Sequence, residues 1–207
     1  MARGIIGRKK GMTQIFSEQG EMVPVTVIEA GPCVVADIKS EDKDGYTAVR
    51  LGFERVKSDK LNKPDLGQFE KFDLEPHRYL REFYCESEDE YTPGDEITVE
   101  IFSSGDKVDV TGVTKGKGFS GNVKRHGHST GPRTHGFGLD RGPGSIGALG
   151  PERVFKGQKL PGRMGRNRTT IKNLKVMRVM PERDVLLVKG SVPGPEEGIV
   201  EVRGTEE

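Results

Sequence analysis

The chain has 207 residues, enough for one large domain or two small ones, with 32% hydrophobic and 31% charged residues. So little apolar content means that part of the chain adds little to a core, and no apolar run nears the roughly 20 residues of a membrane-crossing helix. Cys33 and Cys85 are too few and too far apart for a disulfide framework or a four-ligand zinc site, so a reducing, cytoplasmic setting is the expectation.

In chain order, "MARGIIGRKKGMTQIF" is basic but has neither an apolar h-region nor a small-residue cleavage site, so it is not read as a secretory signal. Short strands follow. "MVPVTVIEA" (22–30) and "CVVADIK" (33–39) are rich in valine and isoleucine and are separated by Gly31-Pro32. "YTAVRLGFE" (46–54) follows the turn signal Asp44-Gly45. Between Pro64 and Arg81 the pattern changes, and "KPDLGQFEKF" reads as a short helix with Pro64 near its start. "EITVEIF" (96–102) alternates, with Ile97, Val99 and Ile101 on one face, and is expected to be a strand. "KVDVTGV" (107–113) alternates too. Strand signals return in "NLKVMRVM" (173–180), in the nearly continuous apolar run "DVLLVKG" (184–190), which suits a central strand, and in "GIVEVRG" (198–204).

The net charge of +1 conceals a strong polarity. Residues 37–106 hold ten Lys/Arg against nineteen Asp/Glu. Residues 111–180 hold fifteen Lys/Arg against only Asp140 and Glu152. Such an excess of positive charge repels itself without counter-anions and points to a polyanionic partner. The same region is glycine-rich: Gly118–Gly150 contains ten glycines and three of the four histidines, and its few apolar residues follow no helix or strand period.

Unstructured loops longer than about 12–15 residues are uncommon in compact domains. The reading is therefore a mostly β protein: a barrel domain over 1–113 and 171–207, with a small, partly helical acidic insertion near 58–90, and an inserted basic arm over 114–170.

"GKGFSG" (116–121) matches the dinucleotide fingerprint through Gly116, Gly118 and Gly121. That fingerprint needs a helix inside a parallel βαβ unit, and "NVKRHGHSTGP" is at best one or two turns, broken by Gly127. A nucleotide-dependent enzyme is thus the weaker alternative, and an acidic protein-interaction module with a basic tail a third. His126, His128 and His135 have Arg125 and Arg133 beside them, which disfavours a metal cation, and nothing fixes a catalytic geometry for Ser129, His128 and Asp140. No catalytic residue, cofactor, metal or small-molecule substrate is expected. RNA fits the composition: Lys and Arg meet phosphates, glycine permits close backbone approach, and Arg and His planes stack on unpaired bases.

"GIIGRKKGMTQIF" (4–16), "PVTVIEAGPC" (24–33), "KDGYTAVRLGF" (43–53), "VDVTGVTKGKGFSGNVKRHG" (108–127), "RGPGSIG" (141–147), "RVFKGQKLPGRMG" (153–165) and "LLVKGSVPG" (186–194) resemble the family of bacterial large-subunit ribosomal protein number three, in order and over nearly the whole chain. The resemblance implies a Greek-key β-barrel of the translation-protein type with a long extension reaching toward the peptidyl transferase centre. It also implies direct binding to 23S rRNA, a part in early subunit assembly, and ribosomal proteins fourteen and nineteen of the large subunit as neighbours. The RNA contacts are then expected at Arg3, Arg8, Lys9, Lys10, Lys115, Lys117, Lys124, Arg125, His126, His128, Arg133, His135, Arg141, Arg153, Lys156, Lys159, Arg163, Arg166 and Arg168. The tip is expected at Gly142, Gly144, Ser145, Ile146, Gly147, Ala148 and Leu149. Two departures stand out. Many members carry a tryptophan after Lys-Arg, where this chain has His126, and some carry a methylated tip glutamine, which is lacking between Gly144 and Phe155.

Overall fold

A computed structural model describes residues 4–17, 19–85 and 91–205; Arg3 lies outside them. The chain divides into two compact units, Met1–Val113 with Arg168–Glu207, and Thr114–Asn167.

The first unit contains β1 (Gly4–Phe16), β2 (Met22–Ala30), β3 (Cys33–Lys39), α1 (Glu41–Asp44), β4 (Ala48–Arg55), α2 (Lys63–Glu70), β5 (His77–Tyr84), β6 (Glu96–Ile97) and β7 (Lys107–Val113). The second contains β8 (Phe119–Ser120), α3 (Asn122–His126) and β9 (Gly162–Arg163). The chain then returns to the first unit as β10 (Arg168–Met180), β11 (Val185–Lys189) and β12 (Ile199–Gly204).

Six strands close an antiparallel barrel in the order β1-β12-β7-β10-β11-β2, with β2 pairing back onto β1. Closure leaves no free sheet edge. Alternation drives it: Val108 and Val110 of β7, Val200 and Val202 of β12, and Thr26, Ile28 and Ala30 of β2 are buried. On β11 the consecutive Leu186, Leu187 and Val188 are all buried, so both faces of that strand are covered, as its unbroken apolar run implies. Ile5 and Ile6 of β1 are likewise adjacent and both fully buried.

β3 and β4, expected as barrel strands, belong instead to a second sheet, ordered β5-β4-β3-β6. The two sheets share one core: Val35, Leu51, Phe53 and Phe83 cluster with Ile5, Ile28, Val110 and Val202. Close approach at their junction requires glycine, because a Cβ on Gly4 would collide with the ring of Phe83 at Cδ1.

Three sequence expectations need correction. The strand expected over 96–102 stops at Ile97, and Val99–Ile101 form a 3₁₀ turn. Its buried residues, Val99 and Phe102, are three apart, so turn periodicity overrides the apparent alternation. Strand β5 was hidden because it is a sheet edge with a mostly charged or half-exposed surface. β10 begins at Arg168 rather than near 171–173, since its first half is exposed and carries no apolar alternation.

Candidate nucleic-acid interface

The Thr114–Asn167 unit has no apolar core: none of the buried hydrophobic side chains lies within it. Backbone hydrogen bonds hold it instead. Two antiparallel segments are joined by Thr114 N–H to Asn167 O at 3.0 Å, Arg166 N–H to Thr114 O at 3.1 Å, Lys117 N–H to Met164 O at 2.9 Å and Met164 N–H to Gly118 O at 2.9 Å. The two-residue ladder β8–β9 continues them, pairing Phe119 with Arg163 and Ser120 with Gly162.

Helix α3 follows and ends at Gly127, whose φ of 68° provides the left-handed cap. Three side chains tie this helix to the returning segment. Asn122, almost fully buried, donates from Nδ2 to Lys159 O at 3.1 Å; Arg125 donates from Nη1 to Leu160 O at 2.8 Å; and His126 Nε2 lies 3.0 Å from the same carbonyl. Arg125 and His126 therefore serve the unit's own architecture. The His126 and His128 rings stand 5.9 Å apart, and His135 is exposed with a positive φ of 61°.

The remaining basic residues of the unit face solvent. Lys115, Lys117, Lys124, Arg141, Lys156, Lys159, Arg163 and Arg166 are exposed and form no ion pair among the described residues. Arg133 lies 3.7 Å from Asp140, and the Arg153 guanidinium sits 5.4 Å from the Phe155 ring centre. The segment 142–149 is mostly exposed; Ser145 Oγ donates to Gly147 O at 3.1 Å, and Gly144 has a φ of +73°.

Sequence reasoning placed five further basic residues with these; Arg3 lies outside the described residues, and the structure engages the other four otherwise. Lys9 is a correction: it is buried, and its Nζ donates to the carbonyls of Val192 at 2.9 Å and Gly194 at 3.4 Å, which satisfies a desolvated ammonium. Arg8 is paired with Glu54 and Glu197. Lys10 meets Glu29 at 2.9 Å, and that bond, with a second to Glu197, holds its ammonium above the usual lysine value. Arg168 donates to Glu201 at 2.5 Å. A β-strand buries one face whatever the charge on it, so composition could not separate β1 from the basic unit.

What sequence reasoning missed is apolar. Phe119, Phe137, Leu139, Leu149, Val154 and Phe155 are exposed within this unit, and Leu149 is 96% exposed. Large apolar side chains left in water next to unpaired cations mark a surface built to be covered. The dinucleotide reading also fails on geometry: α3 is five residues long and the adjoining strands are antiparallel, not a parallel βαβ unit.

Comparison with known proteins agrees. The family described as Ribosomal protein L3 matches residues 95–185. Large ribosomal subunit protein uL3 of Carboxydothermus hydrogenoformans is 58% identical over 194 residues, covering 94% of this chain and 93% of that protein. The uL3 proteins of Geobacillus stearothermophilus and Natranaerobius thermophilus are each 54% identical, covering 98% of this chain and 95% and 96% of theirs. The closed β-barrel and the coreless cationic unit are thus those of a chain whose relatives are ribosomal proteins, and a ribosomal protein is its class. Within that class, the chain belongs to the uL3 family of the large ribosomal subunit.

Proposed function

We propose that this chain is a structural constituent of the bacterial large subunit in the cytoplasm and binds 23S rRNA directly through residues 114–167. One observation carries the reading: this unit buries no apolar side chain of its own while exposing eight cations that have no carboxylate partner among the described residues. RNA phosphates supply the missing counter-charge, and released counter-ions supply affinity. The 142–149 segment, rich in small residues, reads as the part directed toward the peptidyl transferase centre. The barrel unit reads as the part that meets neighbouring ribosomal proteins such as fourteen and nineteen, and early binding makes the chain an assembly nucleator.

Nuclease footprinting of the purified chain on 23S rRNA tests this. Protection should map to a compact set of sites and vanish when 114–167 is removed. Undiminished protection without that unit would overturn the assignment.

A further inference from the structure

We propose that Phe119 is a stacking platform for an unpaired base of the bound RNA, a role that rests on the RNA-binding reading and gives it a specific chemistry. Phe119 is 79% exposed, although it lies in a hydrogen-bonded strand rather than a loose loop. Its cross-strand partner is Arg163, and Lys117 precedes it by two residues. Backbone bonds between Lys117, Gly118 and Met164 fix the strand on one side, and the buried Ser120 and Asn122 anchor it on the other. The backbone that carries the ring is therefore held in place, so binding has only the two side-chain torsions of Phe119 to order.

The glycines around it explain "GKGFSG" better than a nucleotide fingerprint does. A Cβ added at Gly118 or Gly121 would meet nothing within 4 Å, so no side chain at either position covers the approach to the ring. Gly118 also takes a φ of +66°, which glycine adopts without strain. An exposed aromatic ring flanked by cations, with its approaches cleared, suits a base with a phosphate on each side. A protein partner fits less well, because no acidic residue lies between Asp109 and Asp140 to limit repulsion from anything but a polyanion.

The chain has no tryptophan, so Phe119→Trp introduces a single reporter. In the full chain, its emission should be quenched on adding purified 23S rRNA and should stay unchanged with heparin, a polyanion without bases. Phe119→Ala should weaken 23S rRNA binding by about 5- to 150-fold, while Phe119→Tyr retains it. An unquenched indole in a complex that still forms would overturn the stacking role alone. So would equal quenching by heparin, or a response only to added ribosomal proteins. Failure of the parent chain to bind 23S rRNA would overturn both this role and the RNA-binding reading.

Discussion

Nη2 of Arg168 lies 2.5 Å from a carboxylate oxygen of Glu201, whose side chain is only 9% exposed on β12. Arg81 Nε donates to the other oxygen at 3.0 Å, and Arg203 stands 3.8 Å away. One carboxylate thus holds three guanidiniums, drawn from β5, β10 and β12. Glu201→Gln keeps the shape but leaves three cations facing one another. Because the arginines are partly exposed, the loss should be about 1–2 kcal/mol rather than that of a fully buried pair. Urea unfolding should show it as a lower midpoint, partly restored by salt; an unchanged midpoint would mean that solvent already screens the cluster.

The Gly4–Phe83 contact should be intolerant of any side chain. Gly4→Ala drives a methyl group into the ring and should cost about 1–3 kcal/mol. Phe83→Leu alone opens a cavity, but in the double variant it makes room, so the two effects should be far from additive. Additive losses in thermal unfolding would show that the sheets shift apart to relieve the contact.

Val113 and Arg168 are paired across β7 and β10, so their ends are close enough for a short turn. Replacing 114–167 with a four-residue Gly/Asn turn should leave a cooperative unfolding transition, because the core lies wholly outside that segment. The intact chain should bind 23S rRNA with a log–log salt slope of roughly −6 to −7, from the eight cations without an ion-pair partner among the described residues, at about 0.7–0.9 each. The shortened chain should show a slope near zero. A steep slope in the shortened chain would move the interface to the barrel.

Gly147 offers a clean substitution. A Cβ there meets only the Arg153 carbonyl oxygen, at 3.7 Å, its φ is not in the left-handed region, and the segment is exposed, so the protein itself has room for a Cβ. Any consequence of Gly147→Val must come from a partner packed against it. Ribosomes carrying the variant should assemble normally but change in puromycin reactivity or in sensitivity to drugs at the peptidyl transferase centre. Unaltered behaviour on both counts would make the segment an ordinary turn.

Stability should respond to pH on both sides of neutrality. Burial holds His77 below the ordinary imidazole value, against the opposing pull of a 2.8 Å contact with Glu75 O. The unfolded chain then binds more protons below about pH 6.5, so stability falls as pH drops from there toward 5. On the alkaline side, burial pushes the Cys33 thiol, which donates to Ile6 O at 3.4 Å, up to about 12. The unfolded thiol ionises first, so stability falls as pH rises past about 9. Melting temperatures of His77→Gln and Cys33→Ala should lie flatter over pH 5–6.5 and 9–10 respectively. Slopes matching the parent would assign the dependence to other groups.

Much of this protein could be read from the chain alone, and for a physical reason. Side chains alternate across a strand, so β2, β7, β11 and β12 show in their valines and isoleucines before any contact is known. Charge and glycine content are local properties too, so a basic, glycine-rich segment shows before any contact is known. Pairing is not local. Which strands close a barrel and which form the second sheet depends on contacts such as Gly4 against Phe83, nearly eighty residues apart in sequence. The same holds for the fate of each charge. Lys9 and Lys117 are alike in sequence, yet one is buried against two carbonyls and the other faces water. Only folding decides that, because burial is set by what the rest of the chain brings alongside.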